Sequence, residues 1–471
     1  LTVAGPGKSK RAAAIYIVLA GLQRFVSLLI LPFITHAMSP KEYGAASMLA
    51  AASLLLVSVV ATPLMQLIIR AAARGDDDGP ALIRIAGAYC YVLLPVVVAA
   101  AAAVVALAVP EMLGVSGYLW AIEMVAIGLQ PAASVFALSV AQAREDLRRF
   151  VWLSSVSVVV TAASKLVFVV ILRHGVLGWV ISDLISALVS ALLAMWLVRL
   201  PHVRTTSEHI RYGLRFTLPL IPHTASLWAL TSLSRPALAA VSTLEQVGFL
   251  SFGLSLAQLA GIVLLEVNRA VLPRYSRETF PAPTPETHGP ARWQVVGAFA
   301  VPAVVGVGVA VAGPWLFAAA FWPSFQLTGV LLIGQAALGL YVIPMNYLTQ
   351  TGGVTRFSAV ASGTGAALIL VSILIFGGRY GALGLAYATA AGYLTMAVLG
   401  MILLSVHKFD IAWSSWFRNW PEIVLAIAAL ASAVAALSSQ VNGAASRLFA
   451  AGALLLIGAI YPLMRRHHSV S

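Results

Sequence analysis

Fourteen apolar stretches, most of them about as long as a bilayer is thick, follow one another along this chain of 471 residues. They lie near residues 13–37, 44–69, 85–109, 117–140, 151–172, 175–198, 213–234, 246–268, 294–320, 327–349, 357–378, 381–406, 421–438 and 446–464. A hydrocarbon core takes roughly 20 residues of helix, and within it every backbone amide must find its partner inside the segment. The expected fold is therefore an all-α polytopic membrane protein of about 14 (12 to 14) transmembrane helices, the last pair being the weakest. Composition agrees: 61% hydrophobic residues, 10% charged residues and a mean hydropathy of +0.95 leave too little polar surface for a soluble globule.

Lys and Arg are retained on the cytoplasmic side during insertion. With the N-terminus placed inside, cytoplasmic segments collect 22 of the 29 basic residues and outer loops 5, namely Lys41, Arg173, Arg235, Arg379 and Arg447. This bias predicts both termini in the cytoplasm and an even number of spans. It also accounts for most of the +13 charge as a polybasic face toward anionic membrane lipid, without a nucleic-acid partner. Lys8, Lys10 and Arg11 precede an apolar run that Gln23 and Arg24 interrupt; the run is long enough to span and is read as a first helix, not a secretory signal.

The chain looks duplicated. Arg173-His174-Gly175-Val176-Leu177-Gly178 is matched by Arg379-Tyr380-Gly381-Ala382-Leu383-Gly384, and each segment joins two apolar stretches that begin after Arg149-Phe150 and Arg356-Phe357. Two equivalent helical halves usually frame a path whose access alternates from side to side. The expected organisation is a cytoplasmic tail (1–12), a six-helix lobe (13–198), a cytoplasmic linker (199–212), a second six-helix lobe (213–406), and an extra helix pair with a cytoplasmic tail (407–471). The Pro-rich segment Thr279–Pro285 reads as a loop.

Several chemistries lack their residues. Cys90 is the only cysteine, so no intramolecular disulfide forms. Gly5-Pro6-Gly7-Lys8-Ser9 imitates the end of a phosphate-binding loop, but the earlier glycine falls on Thr2 and no strand precedes it, so no ATPase is expected. Asp76-Asp77-Asp78, flanked by Gly75 and Gly79-Pro80, reads as a solvated turn and not a metal site. No metal or cofactor is expected. The outer loops are too short to carry the catalytic groups of a membrane glycosyltransferase, polymerase or ligase.

Ionisable residues at membrane depth are costly and usually face a cavity or a partner. Arg24 sits mid-helix in the first span. Ser154, Ser157, Thr161, Ser164 and Lys165 line one face of the fifth, spaced by three and four. His223 and Arg235 mark the seventh span, Gln258 and Arg269 the eighth, and Asn346 the tenth. A cavity of cations, hydroxyls and amides suits an anionic, hydroxyl-rich head group such as a sugar diphosphate. The competing assignment is helix packing for Ser and Thr and snorkelling for long cations near helix ends. Glu123, Asp183 and Glu266 are the acidic counterparts, either neutralising a nearby cation or carrying a coupling ion, H+ or Na+. On this reading Arg24→Ala and Lys165→Ala silence transport while the protein remains abundant.

Gly21-Leu22-Gln23-Arg24-Phe25 through Leu31-Pro32 to Ser39-Pro40-Lys41-Glu42-Tyr43-Gly44 resembles the opening of Wzx-type oligosaccharide flippases of the multidrug/oligosaccharidyl-lipid/polysaccharide (MOP) superfamily. Ala143–Phe150 is similar to that family's basic loop before span five. Arg211-Tyr212-Gly213 with Leu218-Pro219-Leu220-Ile221-Pro222 is similar to the start of its seventh span. Thr349–Arg356 and Gly381–Thr389 resemble its tenth-to-twelfth-span region. The resemblance implies two rocking six-helix lobes in a bacterial cytoplasmic membrane that move a polyprenyl-diphosphate-linked glycan, with cavity cations such as Arg24 on the diphosphate and other polysaccharide-assembly membrane proteins as partners. Ser234-Arg235 departs from the Asp-Arg pair that often ends span seven. Spans thirteen and fourteen exceed the common twelve, as in the lipid II flippase branch. A cation-coupled multidrug exporter of the MATE branch is the competing function, and a membrane enzyme of polysaccharide assembly a third.

Overall fold

A computed structural model describes residues 26, 28–74, 78–277, 285–352, 356–407, 416–439 and 443–468. Each of the fourteen apolar stretches falls on helix, the first of them only in its described part. The helices are α1 (Leu28–Ala37), α2 (Pro40–Val60), α3 (Thr62–Arg74), α4 (Gly79–Ala108), α5 (Gly117–Ala143), α6 (Leu147–Ile171), α7 (Gly175–Leu197), α8 (Ser207–Thr217), α9 (Ile221–Ser232) and α10 (Ser234–Val241). They continue with α11 (Leu244–Arg277), α12 (Pro285–Leu316), α13 (Pro323–Thr351), α14 (Arg356–Val406), α15 (Trp420–Ser438) and α16 (Ala444–His468). Among the described residues, 10 helices are long and apolar enough to cross a membrane. The loop between α4 and α5 closes as a two-stranded hairpin, β1 (Glu111–Met112) with β2 (Val115–Ser116), turned by Leu113 and Gly114 at positive φ. Most of the Pro-rich segment 279–285 lies outside the described residues.

Proline sets the breaks. The second apolar stretch is divided at Ala61, where Pro63 removes an amide from the ladder, and the seventh is divided among α8, α9 and α10 by Pro219, Pro222 and Pro236. Turns widened to π geometry follow Pro131 and Pro344 inside α5 and α13.

Backbone contacts divide the chain into two units, Leu1–Ala239 and Ala240–Ser471. In the first, α5 packs on α4 and α7, α6 on α7, and α2 on α5 and α7. Its core is sealed by Leu67, Ile83, Cys90, Phe136 and Leu153, with Tyr91 edge-on to Phe136 at 5.0 Å. Helices α8 and α9, which counting spans assigns to the second lobe, make their contacts in this unit, and Trp228 Nε1 donates to Ala51 O on α2 at 2.7 Å. In the second unit, α13 packs on α11 and α14, and the pair α15 and α16 packs on α12 through Val307, Ala433 and Ala453.

The duplicated Arg-x-Gly-x-x-Gly segments share a positive-φ glycine, although Arg173 is at positive φ as well and lies in a break between helices, whereas Arg379 is helical. Gly175 and Gly381 both take positive φ, +55° and +53°. At Gly381 helix α14 folds back on itself, so that Met396 reaches Gly365 and Ile369 reaches Gly392. Each glycine also meets the third residue of a capping sequence from another helix in its own unit. Glu42 closes a capping box with Ser39 at the start of α2 (Ser39 N to Glu42 Oε2, 2.8 Å) and lies against Gly175. Gln246, whose amide donates to Thr243 Oγ1 at 3.3 Å, accepts from Ala382 N at 3.0 Å and lies against Gly381. A side chain at Gly175 would collide with Glu42 Oε1, and one at Gly381 would stand 2.7 Å from Gln246 Oε1. Gly175→Ala and Gly381→Ala are each expected to cost about 2 kcal/mol or more, from positive-φ strain plus the displaced cap. Thermal unfolding of the purified protein checks this, and an unchanged midpoint in either variant contradicts it.

Candidate functional site

The first unit holds a polar cluster built by four helices. On α6, Ser157, Thr161, Ser164 and Lys165 turn toward α7, whose Trp179, Ser182, Asp183, Ser186 and Ser190 recur at the matching helical spacing. Ser157 Oγ and Ser190 Oγ lie 2.8 Å apart, Thr161 Oγ1 bonds Ser186 Oγ, and Ser164 Oγ donates to Ser182 O at 3.3 Å. The stripe expected to line a cavity therefore knits α6 to α7, with hydroxyls satisfying one another where lipid offers no partner. At its end Lys165 Nζ lies 3.0 Å from Asp183 Oδ1 and 3.3 Å from the centroid of Trp179. The Trp179 ring in turn stands edge-on to Tyr43 of α2 at 6.0 Å.

Glu123 of α5 completes the cluster. It is 4% exposed. Its Oε1 lies 2.7 Å from Ser53 Oγ of α2, and its Oε2 is buried without a hydrogen-bond partner among the described residues. Lys165 and Asp183 are close enough for their charges to act on it. Ser53 Oγ also lies 2.7 Å from Leu49 O. A carbonyl only accepts and a hydroxyl has one hydrogen. Both contacts are satisfied together when Ser53 donates to Leu49 O and a protonated Glu123 donates to Ser53.

The other candidates make contacts of their own. Arg235, on α10, is half-buried, and its Nε makes no hydrogen bond among the described residues. Arg269 and Glu266 pair with each other at 2.6 Å on the exposed side of α11, one turn apart, so this carboxylate neutralises its neighbour. Asn346 belongs to an amide network of the second unit. Asn268 Oδ1 accepts from Asn346 Nδ2 at 2.7 Å and from Gln294 Nε2 at 2.8 Å, while Tyr275 donates to Gln294 Oε1 at 2.6 Å. This network ties α11, α12 and α13 together. Gln258 is half-buried on α11. His223 lies on α9, but its side chain, like all of Arg24, is outside the described residues. Of the triple aspartate, Asp78 accepts from His209 Nε2 at 3.1 Å; the other two lie outside the described residues. Among the described residues no group of three His, Cys, Asp or Glu could hold a metal ion.

Sequence reasoning passed over Ser53, Trp179, Asn268 and Gln294. The signal for the α6–α7 pairing was present, because Ser182, Ser186 and Ser190 repeat every four residues opposite the recognised stripe.

Two units of long apolar helices, with charged and hydroxyl groups buried among the helices, define the chain as a polytopic helical membrane protein. The model of the polysaccharide biosynthesis protein family matches residues 9–278, more than half of the chain, and the protein belongs to that family. A structure of the lipid II flippase MurJ in an inward closed conformation aligns with a TM-score of 0.72 at 11% identity, covering 96% of this chain and 99% of that one. An inward-facing multidrug resistance MATE family transporter of the MOP superfamily aligns with a TM-score of 0.61 at 12% identity, covering 83% and 96%. No curated protein sequence matches the chain. At these identities the likeness establishes the fold.

Proposed function

We propose that this protein is a flippase, moving a polyprenyl-diphosphate-linked oligosaccharide from the inner to the outer leaflet of a bacterial cytoplasmic membrane by alternating access, without an ATPase of its own. The observation that carries the reading is membership of the polysaccharide biosynthesis family by a chain with a MOP transporter's fold. A glycan built on a lipid carrier inside the cell must cross the bilayer before assembly outside, and that crossing calls for a transporter. Arg24 remains the proposed diphosphate ligand, for the bidentate grip of guanidinium on phosphate oxygens.

The energy source follows from Glu123. A carboxylate with one oxygen buried and unpartnered would be costly if charged, and the hydrogen count at Ser53 favours its neutral form. Release of that proton would leave two carboxylates, Glu123 and Asp183, competing for the one ammonium of Lys165. A cluster that can pair in two ways biases a two-state transition, so H+ is the proposed coupling ion and no cofactor is needed. Ser157 and Thr161 are assigned to holding α6 on α7.

A cluster with two carboxylates and one ammonium also suits a cation-coupled multidrug exporter, so the substrate must be tested directly. Lipid-linked sugars are quantified by mass spectrometry in cells depleted of the protein, with the leaflets distinguished by a membrane-impermeant probe. Accumulation of a completed unit on the inner leaflet is expected. An unchanged lipid-linked pool, with cells newly sensitive to cationic dyes, would favour the exporter.

A further inference from the structure

We propose that a cavity of the first unit, about 440 Å³ and lined by Arg144, Arg149, Trp196, Leu197, Val198 and Arg199, is an anion site separate from the Glu123–Lys165–Asp183 cluster and holds the phosphate head group of an anionic bilayer lipid. Three arginines line it, Arg144 from the α5–α6 turn, Arg149 from the first turn of α6 and Arg199 from just beyond α7. All three belong to the cytoplasmic segments expected from the basic-residue bias, and that leaflet is the one rich in anionic lipid. The start of α6 adds the positive end of a helix dipole. The end of α7 carries the opposite dipole end, offset in part by the Tyr91 hydroxyl, whose one hydrogen lies between Ala194 O and Val198 O at 3.0 and 2.9 Å. Two acids lie in the same turn: Glu145, exposed and next to Arg144 in sequence, and Asp146, which caps α6 through Arg149 N and lies 3.3 Å from Arg149 Nε, with the side chains of that pair partly exposed; together they offset two of the three guanidinium charges. The cavity therefore keeps a positive excess after this pairing.

The apolar wall identifies the ligand as a lipid. Trp196 is 69% exposed, at the end of a spanning helix where an indole sits at head-group depth. Leu192 and Met195, also exposed, continue the same helix toward the bilayer interior. A soluble phosphate would gain nothing from this flank, whereas a phospholipid would set its phosphate among the arginines and its acyl chains along α7. The site is independent of the proposed transport substrate.

The test uses the intact purified protein and native mass spectrometry, with defined mixtures of phosphatidylglycerol and phosphatidylethanolamine. The wild type should retain phosphatidylglycerol preferentially. Arg144→Gln/Arg149→Gln/Arg199→Gln should weaken that retention by about a hundredfold. Arg148→Gln/Arg211→Gln/Arg215→Gln removes the same charge outside the cavity and should retain phosphatidylglycerol near the wild-type level. If the first triple variant fails to fold, Arg144→Gln/Arg199→Gln, which leaves the α6 cap untouched, should still lose at least about tenfold. Equal retention by a folded cavity variant, or equal losses in the two triple variants, would overturn the site. Displacement by inorganic pyrophosphate would replace a lipid site with one for soluble phosphate. Displacement by a polyprenyl diphosphate at equal mole fraction would make the cavity a substrate dock instead.

Discussion

Lys165→Ala is expected to lower the amount of folded protein sharply, and pairing it with Asp183→Ala to restore much of the loss. The ammonium lies 3.0 Å from Asp183 Oδ1 with the two side chains 12% and 23% exposed, so the alanine variant leaves a mostly buried carboxylate without its counter-charge. Removing one partner of a buried pair typically costs about 3–5 kcal/mol, and partial exposure places this site near the low end, about 3 kcal/mol. Loss of the ammonium over Trp179 adds to this. Removing both charges avoids the uncompensated ion and costs chiefly packing. Thermal unfolding of the single and double variants measures the difference. Additive losses, with the double variant the least stable, would show that the pair is not coupled. The pairing also changes the expectation for transport: where a lysine facing an open cavity should leave abundance intact when removed, this one should take stability and transport together. Lys165→Arg keeps the charge but replaces a point cation stacked on an indole with a planar fork, and should retain the fold more than the activity.

The part of this molecule that was legible in the sequence is the part dictated by backbone physics. Apolar runs near bilayer length must be helices, so the long spans fall where hydropathy places them, whereas proline breaks some of them and is carried inside others such as α12. The repeat around Gly175 and Gly381 was visible because positive φ with a side chain pressed against the glycine leaves little choice of residue at either position. Partnership between helices was harder to read. The polar stripe of α6 had the spacing of a cavity wall, but the same spacing serves a zipper, and only the matching serines of α7 distinguish the two. Glu123 was recognised as an intramembrane acid, yet its partner Ser53 is 70 residues away in sequence, and nothing local to either residue announces the contact. Asn346 likewise bonds Asn268, 78 residues away in sequence, a contact that nothing local to either residue announces.

Glu123→Gln is expected to leave the protein folded and to stop gradient-driven transport. Glutamine keeps the length and neutrality of the protonated acid, and its amide can donate to Ser53 Oγ while Ser53 donates to Leu49 O, so each contact of the cluster survives. It cannot release a proton. With a neutral amide in place of the carboxyl, Lys165 has no second carboxylate to pair with and remains on Asp183. A fluorescent polyprenyl-diphosphate disaccharide in proteoliposomes, followed with and without an imposed pH difference, reports the effect. Wild-type translocation should rise with the gradient, whereas the Gln variant should run about a hundredfold slower and ignore it, within the range for losing a positioned proton-transfer group. Glu123→Ala separates the chemistry from the packing, because it removes the donor to Ser53 and opens a cavity between α2 and α5, and so should lower the unfolding midpoint as well as the rate. Gradient-dependent transport by a folded Glu123→Gln protein would move proton coupling away from this cluster, leaving Glu123 and Ser53 as a neutral hydrogen-bonded link between α2 and α5.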